Sequence, residues 1–298
     1  MTRSGGLAAT LFGAVFACAS AAVASDDWID LLASGNLRAF RHPAGEWRTA
    51  GAIATSADDP RRLTGSVGTG AIVNGDAGRT SDLLTREEWG DVELHVEFLV
   101  PKGSNSGVYL MGRYEIQVLD SFGVAKSDYP GSECGGIYPR WLDEHNVGGR
   151  SPRVNASRPA GEWQSFDIVF RAPRFDARGR KTAHARFVTV VHNGVLVHEN
   201  AEVTGPTRAA RFESEAEEGP AGPLQLQGDH GPVAYRNLRI RPVRLDEGAR
   251  PVRQPAGGDG HERATRASPG TSCRHRVEEV RGHPARSRLY GNSSALGP

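Results

Sequence analysis

Apolar and polar residues alternate strictly along several short stretches of the chain. In Val92-Glu93-Leu94-His95-Val96-Glu97-Phe98 the apolar side chains fall at every second position. Tyr114-Glu115-Ile116-Gln117-Val118, Phe166-Asp167-Ile168-Val169-Phe170 and Leu224-Gln225-Leu226-Gln227 repeat the pattern, and Leu238-Arg239-Ile240 closes the series. Period two with one apolar face predicts antiparallel strands laid on a core. His192-Asn193-Gly194, between Val188–Val191 and Val195–Val197, predicts a hairpin with a type I′ turn. Pro101 to Gly107 predicts a second turn. No long amphipathic helix competes, and Trp28 to Leu32 allows only a single short helical turn. Many short strands separated by Gly and Pro predict an all-β sandwich or barrel.

The two ends differ from this middle. Arg3, the apolar run Leu7 to Ala17 and Ala22-Val23-Ala24 have the form of a signal peptide over residues 1–24, with Ser25 as the mature start. The apolar run is shorter than the about 20 residues a membrane span needs, so no stable membrane insertion is expected. Cys18 follows Val15-Phe16-Ala17, a poor lipoprotein signal because Phe16 is bulky. The expected location is periplasmic or secreted. Residues 244–298 are rich in Gly, Pro, Arg, Ala and Ser and poor in large apolar side chains. Such a stretch buries too little to offset its ordering entropy and predicts a disordered tail. The folded domain is thus expected over residues 25–243.

Composition narrows the function. Of 298 residues, 36 are basic and 35 acidic, a formal net charge of +1, so no broad basic field points to nucleic acid. Three scattered cysteines, Cys18, Cys134 and Cys273, form neither a disulfide framework nor a zinc motif. There is no G-x-S-x-G elbow, H-E-x-x-H motif, P-loop or dinucleotide fingerprint. What alternation leaves on the outward faces is polar: His95 and Glu97; Arg113, Glu115 and Gln117; Gln225 and Gln227. Such a face is either solvated surface or the floor of a groove for a polar ligand. The uncharged amides of Gln117 and Gln227, and the glycine-rich loop beside Arg113 and Glu115, favour a groove.

Read in order, further motifs join these. Gly103-Ser104-Asn105-Ser106-Gly107-Val108-Tyr109-Leu110 precedes Gly112-Arg113-Tyr114-Glu115-Ile116-Gln117-Val118-Leu119-Asp120. Gly136-Ile137-Tyr138, Asn155 to Trp163, Phe166 to Phe170, His192 to Val197 and Gly222 to Gly231 follow. In this order and spacing, over about Trp28 to Val243, the chain resembles the 3-keto-disaccharide hydrolase domain family. The resemblance implies a concanavalin A-like jelly roll of two antiparallel sheets, a carbohydrate substrate and export. Gly228 is an extra residue within the Leu-Gln-Asp-His-Gly pattern usual in the family, which bears on where Asp229 and His230 sit.

The implied chemistry is cleavage of a glycoside oxidised to a ketone at C3. It needs a base for the C2 proton, a proton donor for the leaving oxygen, and an electrophile for the developing enolate. Glu115 or Glu97 is the expected base, His230 the acid or base, and Arg113 the enolate stabiliser. Asn105, Gln117, Asp120, Tyr138, Gln227 and Asp229 are expected to bind substrate. No cofactor is fixed by the sequence; a divalent metal held by Glu, Asp and His is the alternative to Arg113. Two rival functions stand. Glu115-x-Gln117-x-x-Asp120 is similar to the E-x-D-x-x-E strand of retaining jelly-roll glucanases, although Asp120 falls on the opposite face of a regular strand from Glu115. A non-catalytic lectin would use the same groove, with Tyr138 and Trp141 stacking on sugar. For the N-terminus, Edman sequencing of the exported protein should begin at Ser25; a lipidated Cys18 would refute soluble release.

Overall fold

The computed structural model describes residues 28–125, 131–142, 144–207 and 218–245, without the side chains of Trp141 and Leu142. The expected signal peptide and the tail beyond Leu245 lie outside the described residues.

The described residues contain no helix and fold as an all-β sandwich of two antiparallel sheets with jelly-roll character. The larger sheet runs, in spatial order, β16 (Val195–Val203), β15 (Ala185–His192), β12 (Gln164–Arg171), β7 (Val92–Leu99), β18 (Ala234–Pro242), β5 (Ala71–Val73) and β2 (Arg48–Ala50). The short strand β1 (Ile29–Asp30) pairs with the end of β18, where the sequence suggested a helical turn. The smaller sheet runs β6 (Leu83–Trp89), β17 (Gly222–Leu226), β8 (Asn105–Leu110) and β9 (Tyr114–Leu119). Three ribbons complete the described strands: β3 (Ile53–Thr55) with β4 (Leu63–Gly65), β10 (Arg140–Leu142) with β11 (His145–Val147), and β13 (Arg174–Phe175) with β14 (Lys181–Ala183).

The alternating runs become the inner faces. Val92, Leu94, Val96 and Phe98 of β7 and Phe166, Ile168 and Phe170 of β12 are buried in the same cluster as Val108, Leu110, Tyr114, Ile116, Val118, Leu224 and Leu226 of the smaller sheet. Aromatic rings pack within and between the layers: Phe98 lies 4.7 Å from Phe166 in the larger sheet, and Tyr114 of the smaller sheet 5.6 Å from Phe170 of the larger. Such tilted pairs add to burial, which is the main stabilising term. A polar link also crosses the core. The Tyr235 hydroxyl on β18 and the Ser106 hydroxyl on β8 are 2.8 Å apart, and Ser106 donates to the Gln227 carbonyl. The predicted hairpin joins β15 and β16, with Asn193 and Gly194 both left-handed as a type I′ turn requires. Order extends past the expected domain end at Val243: Leu245 donates to the Asp91 carboxylate and its carbonyl accepts from Arg174, which also clasps Asp91.

Two core histidines make stability pH-dependent. Burial, followed by the charge of Arg158, lowers the His192 pKa to about 4. His198 is also lowered to about 4, first by burial and then by Arg150 and Arg153, against the opposing hydrogen bond to the Gly135 carbonyl. Neutral imidazole is the folded form in both. Their contribution is complete above the unfolded value near 6.5 and is lost as pH falls through 4. The loss approaches roughly 3 kcal/mol per histidine. The melting temperature should fall steeply between pH 6.5 and 4, and less steeply in His192→Gln. An equal slope in the variant would remove His192 from the account.

Candidate functional site

The site is built on the outer face of the smaller sheet. Strand β9 begins after a tight turn at Met111 and Gly112, both left-handed, which places Arg113 at the hairpin end. With Tyr114, Ile116 and Val118 in the core, Glu115 and Gln117 take the other face. Strand register then sets two rows. Gln225, Tyr109 and Glu115 are aligned across β17, β8 and β9. In the next row Gly107 opposes Gln117, and Gln227 just past β17 donates its backbone N–H to the Gly107 carbonyl. All five side chains in these rows are at most 7% exposed, as is Arg113. The strip is therefore a buried polar layer, not a solvated face.

Gly107 gives the strip its key geometry. A Cβ there would stand 2.9 Å from the Glu115 carboxyl carbon and 2.8 Å from the Tyr109 ring. The carboxylate therefore lies across the bare glycine backbone. Other groups fix the surroundings. Asp82, just before β6, accepts from the Gln225 amide at 2.8 Å and from the Gly228 N–H at 3.0 Å. The Gln227 amide reaches the Tyr109 hydroxyl at 3.4 Å. Thr207 clamps the outer edge of β9: its hydroxyl receives the Glu115 N–H at 2.6 Å and donates to the Arg113 carbonyl at 3.2 Å. Tyr138 donates its N–H to the Glu115 carbonyl, and the neighbouring Ile137–Ile116 bridge sets it opposite Glu115.

The structure thus brings Arg113, Glu115, Gln117, Tyr138 and Gln227 together. Asn105 opens β8 on the same face, and its buried Oδ1 has no hydrogen-bond partner among the described residues. Asp229 and His230 occupy the loop after β17, half exposed and paired through Nδ1 and Oδ1 at 2.5 Å. The extra Gly228 has a local cause. Its N–H goes to Asp82, its carbonyl accepts from Asn74 and Thr80, and a side chain would collide with Ser81. Asp120 leaves the strip, accepting from the Gly103 N–H at 2.9 Å and so closing the turn before β8.

Glu97 must be corrected. It lies on the outer face of the larger sheet, with the core between it and Glu115. Adjacent strands in sequence, β7 and β8, belong to different sheets, so their outward residues face opposite sides of the molecule. Burial raises the Glu97 pKa, but hydrogen bonds from Asn237 and Arg236 and the charges of Arg236 and His95 outweigh it and hold the carboxyl below its ordinary value. That is unsuited to a base. Trp163 belongs to the same side, 4.1 Å beneath the Arg236 guanidinium. The Trp141 side chain is outside the described residues. Sequence reasoning missed Tyr109 and Asp82. Tyr109 was detectable, since it alternates with Gly107 away from the core. Asp82 precedes its strand and carries no such signal. Among the described residues no group of three or more His, Cys, Asp or Glu side chains is placed to hold a metal, and no helix is long and apolar enough to cross a membrane.

The β-sandwich presents a buried carboxylate, amides and a phenol on one sheet face, and its family and a similar solved structure place it among carbohydrate-active proteins. A profile of the 3-keto-alpha-glucoside-1,2-lyase-like domain matches residues 27–241, and the chain belongs to that family. Among solved structures, it is similar to a Parabacteroides distasonis protein described as a candidate glycosyl hydrolase. Identity is 29% and the TM-score 0.54, over 73% of this chain and 84% of that one. A second candidate glycosyl hydrolase of the same organism aligns at 21% identity and TM-score 0.45, over 73% of this chain and all of that one. No curated protein matches the chain.

Gly107→Ala tests how the carboxylate is placed. The added methyl should push Glu115 aside and lower glycoside turnover roughly a hundredfold, as an ångström-scale misplacement does, with the melting temperature shifted by only a few degrees. Unchanged turnover would show that Gly107 does not position Glu115.

Proposed function

We propose that the chain cleaves 3-keto-glycosides by proton abstraction and elimination, with Glu115 as the base. The observation that carries this reading is the buried Glu115 carboxylate laid over Gly107, in a layer otherwise made of amides and a phenol. A ketone at C3 acidifies the C2 hydrogen. Glu115 takes that proton, and the C–H electron pair forms an enolate. The enolate then expels the C1 oxygen, which leaves with a proton from a donor. Water adds across the new double bond, its oxygen to C1 and its hydrogen to C2. Arg113, at the hairpin end of the strip, supplies positive charge for the enolate oxygen. His230 is the proton donor, its Nε2 left available by the Nδ1 bond to Asp229. Gln117, Gln227 and the Asn105 carbonyl oxygen, still lacking a donor, hold sugar hydroxyls. The exported location implied by Arg3 to Ala24 puts this activity in the periplasm or outside the cell.

The retaining-glycosidase alternative needs two carboxyls about 5–5.5 Å apart. Asp120, the second carboxyl that this reading used, is engaged at the Gly103 turn, which counts against it. Activity should be found on a 3-keto-glucoside and be small on its unoxidised parent. Glu115→Gln should lower turnover by roughly 10²–10⁴ while sparing binding, since the amide keeps shape but takes no proton. Equal rates on both glycosides would overturn the keto-sugar reading, and binding without turnover of either would leave a lectin.

A further inference from the structure

A second cleft lies at the edge of the sandwich. It encloses about 160 Å³ and is lined by Ile137, Arg140, Gly148, Arg150, Gly205 and Thr207, with neighbouring backbone of β11 and β16. That is below the 300–1,000 Å³ of pockets for drug-sized ligands, and suits a single small group. Its charges are unbalanced. Nearby Arg153 has Glu199 at 3.0 Å, and Arg186 has the cleft's own Glu202 at 3.2 Å. The Arg140 backbone pairs with Val147 in the β10–β11 ribbon, while its guanidinium has no hydrogen bond or ion pair with a described residue. Arg150 gives its guanidinium only a 3.4 Å bond to the Glu202 carbonyl.

The Arg140 guanidinium is nevertheless placed. It approaches Gly205 through Nη1, where a Cβ would overlap it and stand 2.9 Å from its Cζ. At the rim Gly148 and Gly149 are both left-handed and put no side chain across the mouth. The positive field is felt by a neighbour: besides burial, Arg150 and Arg153 help to hold the His198 imidazole neutral.

We propose that this cleft is an oxyanion site, taking a carboxylate, sulfate or phosphate between Arg140 and Arg150. Guanidinium forks match such oxygens in pairs, and among the described residues neither fork has a carboxylate to neutralise it. The cleft's lining does not include Glu115, Gln117, Gln225 or Gln227; Thr207, which does line it, holds the Glu115 backbone N–H. The anion is either a free ion or the acidic group of a sugar.

Isothermal titration at constant ionic strength separates the cases, using sodium sulfate, sodium D-glucuronate and neutral D-glucose. One saturable site for an anion is expected, with none for glucose in the cleft. Sulfate binding alone or with glucuronate assigns a general oxyanion site; glucuronate alone assigns an acidic sugar. Arg140→Ala should weaken binding roughly ten- to hundredfold. Gly205→Ala should do so comparably by displacing the guanidinium while keeping its charge. Glu115→Gln should bind the anion as the wild type does, which keeps this result independent of the keto-sugar reading. Absence of saturable anion binding, or binding unchanged in both Arg140→Ala and Gly205→Ala, would overturn the proposal.

Discussion

Hydrogen-bond demand in the buried layer behind the smaller sheet governs the design. Glu115, Gln117, Gln225 and Gln227 are shielded from water, and an unpartnered polar group there costs on the order of 1–3 kcal/mol. The surrounding chain is shaped to meet that demand. Asp82 serves Gln225 and Gly228, Thr207 clamps the backbone on either side of Tyr114, and the Tyr235–Ser106–Gln227 chain fixes the larger sheet against the smaller. Close approach of backbone follows from the same requirement. Gly107 admits the Glu115 carboxylate, and Gly228 lets the β17 loop touch Ser81. A layer held this rigidly needs little reorganisation when charge moves through it, and preorganisation of that kind is what catalysis uses.

The larger sheet shows the contrast. Its outer face also carries His, Glu, Asp and Arg, but these satisfy one another: His95 with Asp167 at 2.6 Å, Glu97 with Arg236 at 2.7 Å, Glu93 with Arg241 at 2.6 Å. Compensated ion pairs on a partly exposed surface contribute little stability and leave no group to receive a ligand. Similar residue types thus make a surface on one side and a candidate site on the other. The difference lies in what covers them and what answers their charge.

Much of this was legible in the sequence. Alternation located β7, β9, β12 and β17, and the Asn-Gly pair located the β15–β16 hairpin, because period two and left-handed turn residues are local signals. Glu115, Gln117 and Gln227 could be assigned to a non-core face for the same reason. Which strands share a sheet is not local. β7 and β8 are sequence neighbours in different layers, and that alone sent Glu97 to the wrong side. Two- and three-residue strands such as β1, β2 and β13 are too short to show a period. Asp82 and Thr207 enter the site through loop geometry, which no spacing rule reports. Leu245 is held by Asp91 and Arg174, residues distant in sequence, a contact that the composition change near Val243 does not report.

In the proposed elimination, Glu115 breaks the C2–H bond before the glycosidic bond is cleaved. Turnover of a 3-keto-glucoside in D₂O, with the C2 position of the released sugar followed by proton NMR against an enzyme-free control, tests it most directly. Elimination and hydration predict deuterium at C2 in the first product formed, at the rate of cleavage. Product released with its C2 proton retained would contradict the account, because direct displacement at C1 leaves that bond untouched.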